Sequence, residues 1–177
     1  MIFDRDAAME SLAAAVSAPG GDLRIRLTLD ESGEFQCTAA ALAKSSRLWT
    51  YAISPLRVRS DDAIARHKTN WREHLDREHA RLSRETGCDE VVFLNERGEV
   101  AEGSRSNVFL RRDGMLLTPP LSAGVLDGCL RRELVEQGLC REATLTLEDL
   151  KKGEVCFGNS LRGLMEAAPV TVAFETA

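Results

Sequence analysis

Two consecutive hairpins written into residues 90–118 constrain this chain more than any other stretch. Glu90–Leu94 and Glu99–Glu102 are β-prone runs around Asn95-Glu-Arg-Gly98, and Asn107–Arg112 and Met115–Thr118 flank Asp113-Gly114. Asp-Gly tolerates positive φ at both positions, which a two-residue type I′ turn demands. The middle of the chain is thereby committed to antiparallel pairing. The same pattern places a carboxylate, Glu102, at a strand end and leads through Thr118-Pro-Pro-Leu-Ser-Ala-Gly-Val-Leu-Asp-Gly128 toward a helix.

On the N-terminal side, Asp4 is suited to cap a helix with Met9, Leu12, Ala13 and Val16 on one stripe, ended by Pro19-Gly-Gly-Asp22. Leu23, Ile25, Leu27 and Leu29 alternate with polar residues and predict a half-buried strand. Asp30-Glu-Ser-Gly33 turns it into a second strand near Glu34–Thr38; a third spans Leu48–Ile53, and Ser54-Pro55 opens a connector to about Ser60. Trp71–Thr86 reads as a helix with Trp71, Leu75 and Leu82 on one side and Gly87 as its cap. Further on, Asp127 or Gly128 starts a helix ending at Gly138. A short helix near Leu147–Lys152 and strands Val155–Phe157 and Val170–Phe174 complete the reading. The compositional break falls near residues 54–65.

Composition excludes several function classes. A net charge of -5 without a basic run speaks against nucleic acid. No apolar stretch reaches membrane-spanning length. Five cysteines form no CxxC pair and no signal peptide precedes them, so the expectation is a reduced, cytoplasmic chain. His67, His74 and Glu78 share no familiar ligand spacing, and no metal is expected.

Four pieces could carry chemistry. Lys68, in His67-Lys-Thr-Asn70, is an amine that burial or nearby positive charge would turn into a nucleophile; alone it reads as a solvated lysine. Glu102 is a carboxylate able to face a protonated ring nitrogen; alone it is a strand-end glutamate. Leu126-Asp-Gly-Cys-Leu130 enters a helix whose first N–H groups, at Cys129 and Leu130, can hold a phosphate, with Gly128 permitting close approach. In Gly158-Asn-Ser-Leu-Arg-Gly163, Asn159 and Ser160 can donate to that phosphate, and the planar fork of Arg162 suits a carboxylate, as does that of Arg105. Cys129 reads as a packed small residue rather than a reactive thiol.

In this order and spacing the pieces resemble the class IV (fold type IV) family of pyridoxal 5'-phosphate (PLP) dependent enzymes, which holds branched-chain and D-amino acid aminotransferases and aminodeoxychorismate lyases. Lys68 matches the lysine that bonds PLP. Glu102, 34 positions on, matches the acid at the pyridine nitrogen, and Leu126 the residue packed on the ring. Gly128, Cys129 and Leu130 match the phosphate turn, and Ser160 the second phosphate hydroxyl. The match runs from about Arg66 to Pro169. Thr118–Leu126 and Gly158–Leu164 look most like aminodeoxychorismate lyases, which form 4-aminobenzoate and pyruvate for folate synthesis. The resemblance implies an α+β fold: a large, mainly antiparallel β domain with packed helices over residues 57–177, preceded by a partial small α/β domain over residues 1–56. It also implies a small amino acid or aminodeoxychorismate-like substrate and a homodimer.

Three departures from the family stand out. The chain opens at Phe3-Asp-Arg-Asp-Ala7, which resembles a point inside the small domain, so the family's phosphate-binding arginine has no counterpart. The helix after Lys68 offers Glu73 and Leu75 where relatives place a tyrosine. Leu130 stands where relatives often carry threonine. Each lost charged contact to the phosphate is worth about 1.5–3 kcal/mol. Besides the lyase, an amino acid aminotransferase and a truncated, inactive binding module fit these residues. A strand pair at residues 23–38 without its neighbours would leave an open sheet edge.

Overall fold

The computed structural model of the chain describes residues 3–16, 21–42 and 47–170. It divides into two compact units, Met1–Ser46 and Arg47–Ala177, which are taken in turn.

In the first unit, Asp4 caps helix α1 (Arg5–Ala15) by accepting from the N–H groups of Asp6 and Ala7, as its position predicts. The buried stripe is not the expected one. Ala8 is buried and Leu12 half-buried, whereas Met9, Ala13 and Val16 face solvent. The helix ends at Ala15, and Pro19 and Gly20 lie outside the described residues. Strands β1 (Leu23–Leu29) and β2 (Phe35–Ala41) form an antiparallel pair that turns on Gly33, at φ 91°. Among the described residues they pair only with each other, so the expected open edge is present.

The second unit is an eight-stranded sheet with four antiparallel and three parallel pairings, in the order β5-β4-β3-β10-β9-β6-β7-β8. Its strands are β3 (Trp49–Val58), β4 (Glu90–Asn95), β5 (Val100–Gly103), β6 (Asn107–Arg112), β7 (Met115–Thr118), β8 (Cys140–Glu142), β9 (Glu154–Asn159) and β10 (Gly163–Pro169). Both hairpins form as the sequence predicts, the second on Asp113 and Gly114 at φ 52° and 76°.

One expectation needs correction, and two strands were not foreseen. β3 does not stop at Ile53 but runs past Pro55, because its register on β4 shifts between Ile53 and Arg57 and so relieves the proline of a ladder bond. Strand β10 at Gly163–Pro169, paired with β9 and β3, was not foreseen, and residues 171–174 of the strand expected at Val170–Phe174 lie outside the described residues. β8 was not foreseen: three residues pair in parallel with β7.

Helix α2 (Glu73–Thr86) lies between β3 and β4 in sequence and packs on both. Gly87 closes it in the left-handed conformation, donating to the Ser83 carbonyl. Leu75 and Leu82 meet Val91 and Phe93 on one face of β4, each contributing about 2 kcal/mol by burial. Trp71, expected on that stripe, precedes the helix and is exposed. On the opposite face of β4, Val92 and Leu94 join Tyr51, Val108, Leu110 and Phe157 in a second core. Every residue of β4 is buried, which is why its hydrophobicity runs on instead of alternating. Helix α3 (Cys129–Glu136) packs on β8 and β9, and α4 (Leu147–Lys152) starts in a capping box between Thr146 and Asp149.

Candidate active site

A cleft with about 540 Å³ of open space lies within the second unit. One wall is the approach to α2, from Asp62 through His67, Thr69, Trp71 and Arg72 to His74 and Leu75. Val58 and Arg59 stand beside it, and Glu102, Gly124 and Leu126 face it.

Glu102, the last residue but one of β5, has 8% of its surface exposed. Its Oε2 accepts the Leu126 N–H at 3.2 Å. Burial pushes the carboxyl up to about 7; the Leu126 N–H, Arg72 and Lys68 pull the other way, and the Glu90 charge adds to the rise. A buried acid poised near neutrality on a cleft wall marks a functional position. The turn after it is tight. Gly103 donates to the Ser106 carbonyl at 2.9 Å, and a Cβ on Gly103 would come within 2.8 Å of that oxygen. Fully buried Glu90 lies beneath this turn and accepts from Ser104 Oγ and from the Arg105 N–H.

The loop into α3 is held just as closely. Leu126 C=O accepts both the Gly128 N–H at 2.9 Å and Asn107 Nδ2 at 2.8 Å. Gly128 is the N-cap of α3 with no side-chain cap, so the first N–H groups of the helix are open to an acceptor. A Cβ there would collide with Asn107 Oδ1. Cys129 is exposed and Leu130 half-buried. Gly158 on β9 lets α3 approach, since a Cβ would stand 3.1 Å from Leu130 Cδ2.

The remaining expected residues divide. Lys68 is exposed rather than buried, between the lining residues His67 and Thr69; among the described residues no hydrogen bond or ion pair holds its amine, and its charge acts on Glu102. Asn159 donates to Ser106 Oγ at 3.3 Å and accepts from the N–H groups of Leu161 and Arg162, while Ser160 is exposed. Arg105 and Arg162 are exposed and outside the cleft lining, Arg162 lying 6.0 Å from the Trp49 ring centre. Glu78, weighed for metal, is buried against Ser54 and Arg81 instead.

Arg72, Asn107 and Glu90 were missed as site residues. Asn107 carried one faint signal, an amide directly before the apolar run Val108–Leu110. Arg72 and Glu90 act through partners 32 and 14 positions away, which no local pattern announces.

The residue types that PLP requires are present, and of those matched to it Glu102 and Leu126 line this cleft. An open, glycine-led helix start suits its phosphate. Leu126 offers an apolar ring contact. Glu102 offers a carboxylate oxygen for the ring nitrogen, and Lys68 an unengaged amine.

Comparison with known proteins gives a consistent picture. The family model for class IV amino-transferases matches residues 2–170. A Bacillus subtilis aminodeoxychorismate lyase is 50% identical over 56 residues, 30% of this chain and 19% of that protein. A presumed branched-chain-amino-acid aminotransferase of Thermotoga maritima is 47% identical over 49 residues, 28% of this chain and 18% of that protein. The chain thus covers about a fifth of the length of these two curated relatives. The crystal structure of a presumed amino-acid aminotransferase from Mesorhizobium loti superposes with a TM-score of 0.91 at 35% identity, covering 96% of this chain and 84% of that one.

Proposed function

Because the chain belongs to the class IV aminotransferase family, whose members depend on PLP, we propose that it binds PLP and acts as a lyase on 4-amino-4-deoxychorismate, releasing 4-aminobenzoate and pyruvate. The observation that carries the reading is Glu102: a carboxylate buried on the cleft wall, 34 residues beyond Lys68, with its charge balanced only in part. Bound PLP supplies an electron-accepting ring conjugated to the substrate amine.

The chain's own residues do the rest. Gly128, Cys129 and Leu130 hold the phosphate at the start of α3, with Asn159 and Ser160 on the turn beyond β9. Leu126 supports the ring face. Glu102 keeps the ring nitrogen protonated. Lys68 Nζ would hold the cofactor and, with substrate bound, would take the proton from the amine-bearing carbon. A proton returns to the departing enolpyruvyl group, which leaves as pyruvate, so atoms balance without a co-reactant.

The lining favours the lyase over a branched-chain aminotransferase. Arg59, His67 and His74 on the walls suit a substrate with two carboxylates better than one with an apolar side chain. Arg105 and Arg162 lie on flanking turns as further carboxylate partners. The second reading, amino acid transamination, is supported by the likeness to the Mesorhizobium loti structure. A cytoplasmic homodimer serving folate synthesis completes the proposal.

The test is direct. Protein mixed with PLP and reduced with borohydride should carry the added mass on Lys68, and Lys68→Ala should carry none. Pyruvate and 4-aminobenzoate from 4-amino-4-deoxychorismate would support the lyase. Amino exchange between an amino acid and a 2-oxo acid alone would support transamination. No labelling of Lys68 would leave a binding module.

A further inference from the structure

Arg72 stands at the N-cap of α2 and offers that helix no side-chain cap. Its guanidinium instead crosses to the turn after β5, donating to the Ser104 carbonyl, while Nε lies 3.7 Å from Asp76 on α2. The side chain is 23% exposed and lines the cleft that Glu102 faces. Ser104 is itself fixed from below by fully buried Glu90, so the carbonyl that receives Arg72 does not swing freely. Among the described residues no ion pair joins Arg72 to Glu102, although its charge acts on that carboxylate. A cation is thus clamped near the acid by bonds made elsewhere.

We propose that Arg72 is a positioning residue that holds a cation beside Glu102 without occupying its oxygens, leaving the carboxylate open to a ring N–H. This rests on the reading of Glu102 as the partner of the PLP ring nitrogen. An arginine bound directly to Glu102 would compete with the cofactor for the same lone pairs. One bound to Ser104 and Asp76 supplies the field and leaves the acceptor free. The planar fork matters here, since its separate N–H groups can serve two oxygens in fixed directions. The other groups that act on Glu102 are Lys68 and Glu90 of β4 through their charges and the Leu126 N–H through its hydrogen bond; Arg59, Asp62, His67 and His74 complete the cleft's charged and titratable lining. Lys68 is committed to the cofactor in the proposed function, which leaves Arg72 as the lasting cation beside the acid.

The experiment compares PLP with its 1-deaza analogue, in which a CH replaces the ring nitrogen, by equilibrium titration of the apo protein. The wild type should prefer PLP. Arg72→Gln and Arg72→Met, the latter keeping the aliphatic stem, should weaken PLP about fivefold at pH 7, for a one-unit rise in the proton affinity of Glu102. Affinity for the deaza analogue should stay unchanged, and the pH at which PLP binding weakens should move up by about one unit. Arg72→Lys, which keeps the charge without the fork, should retain more of the preference than either neutral variant. The proposal is overturned if a folded neutral variant keeps the wild-type preference and pH profile, or loses both ligands equally, as a merely structural residue would. A wild type without preference for PLP would sink the reading of Glu102, and this one with it.

Discussion

Replacing Glu102 with glutamine should make the cofactor-free protein more stable, by an amount that depends on pH. The folded carboxyl titrates near 7 and an unperturbed one near 4.5. Between those values the folded state binds the proton more tightly than the unfolded chain, so stability falls as pH rises through the window. Below 4.5 both forms are protonated and the ionisation penalty is absent. Above 7 the folded state carries the buried charge in full. The difference of 2.5 pKa units at 1.36 kcal/mol each gives about 3 kcal/mol. Glutamine keeps an oxygen for the Leu126 N–H and carries no charge, so it escapes this penalty. Urea denaturation at fixed pH values from 4.5 to 8 measures the gap. The two proteins should differ little at pH 4.5, and Glu102→Gln should lead by about 3 kcal/mol at pH 8. Saturating PLP should narrow or reverse the gap at pH 8, since the ring N–H then pairs with the native charge. A gap that is flat across the range, or a variant less stable than wild type at pH 8, would refute the reasoning.

Two predictions concern the loop into α3. Gly128→Ala drives a Cβ into Asn107 Oδ1 and should cost about 1–3 kcal/mol in denaturant melts; PLP affinity should fall more than that of phosphate-free pyridoxal. Asn107→Ala removes the Nδ2 donor to the Leu126 carbonyl and should cost about 1–3 kcal/mol. It also removes the atom that obstructs position 128, so Gly128→Ala should cost less in that background than in wild type. Strict additivity in the double variant would count against the collision.

What the sequence made legible was what neighbouring residues decide among themselves. Asp113-Gly114 set the second hairpin, Gly87 stopped α2, and the short helix α4 was placed at Leu147–Lys152. β8 escaped because three residues carry no period, and its partner β7 lies more than twenty positions upstream. β3 was cut short because a proline ends most strands, and only its register shift on β4 shows why this one does not. Likewise, Met9 and Val16 had the spacing of a buried stripe, but α1 is rotated so that Ala8 lies inside. Of the residues singled out in the sequence, Glu102 and Leu126 line the cleft, while Lys68 and Gly128 lie outside its lining. The clasp of Arg72 on Ser104, the buried Glu90 and the amide of Asn107 depend on how distant strands meet.

The segment Leu126–Gly128 touches the acid at one end with the Leu126 N–H and opens α3 at the other, while Asn107 fixes its middle. Three residues therefore work as a caliper, spanning the interval between the two ends of a bound B6 ring under the proposed reading. A caliper mounted on one jaw leaves the facing jaw, from Val58 to Leu75, unburdened by that measurement. Exchange of side chains along the facing jaw, Lys68 and Arg72 excepted, would retune which amine is admitted, with the grip on the cofactor inherited intact.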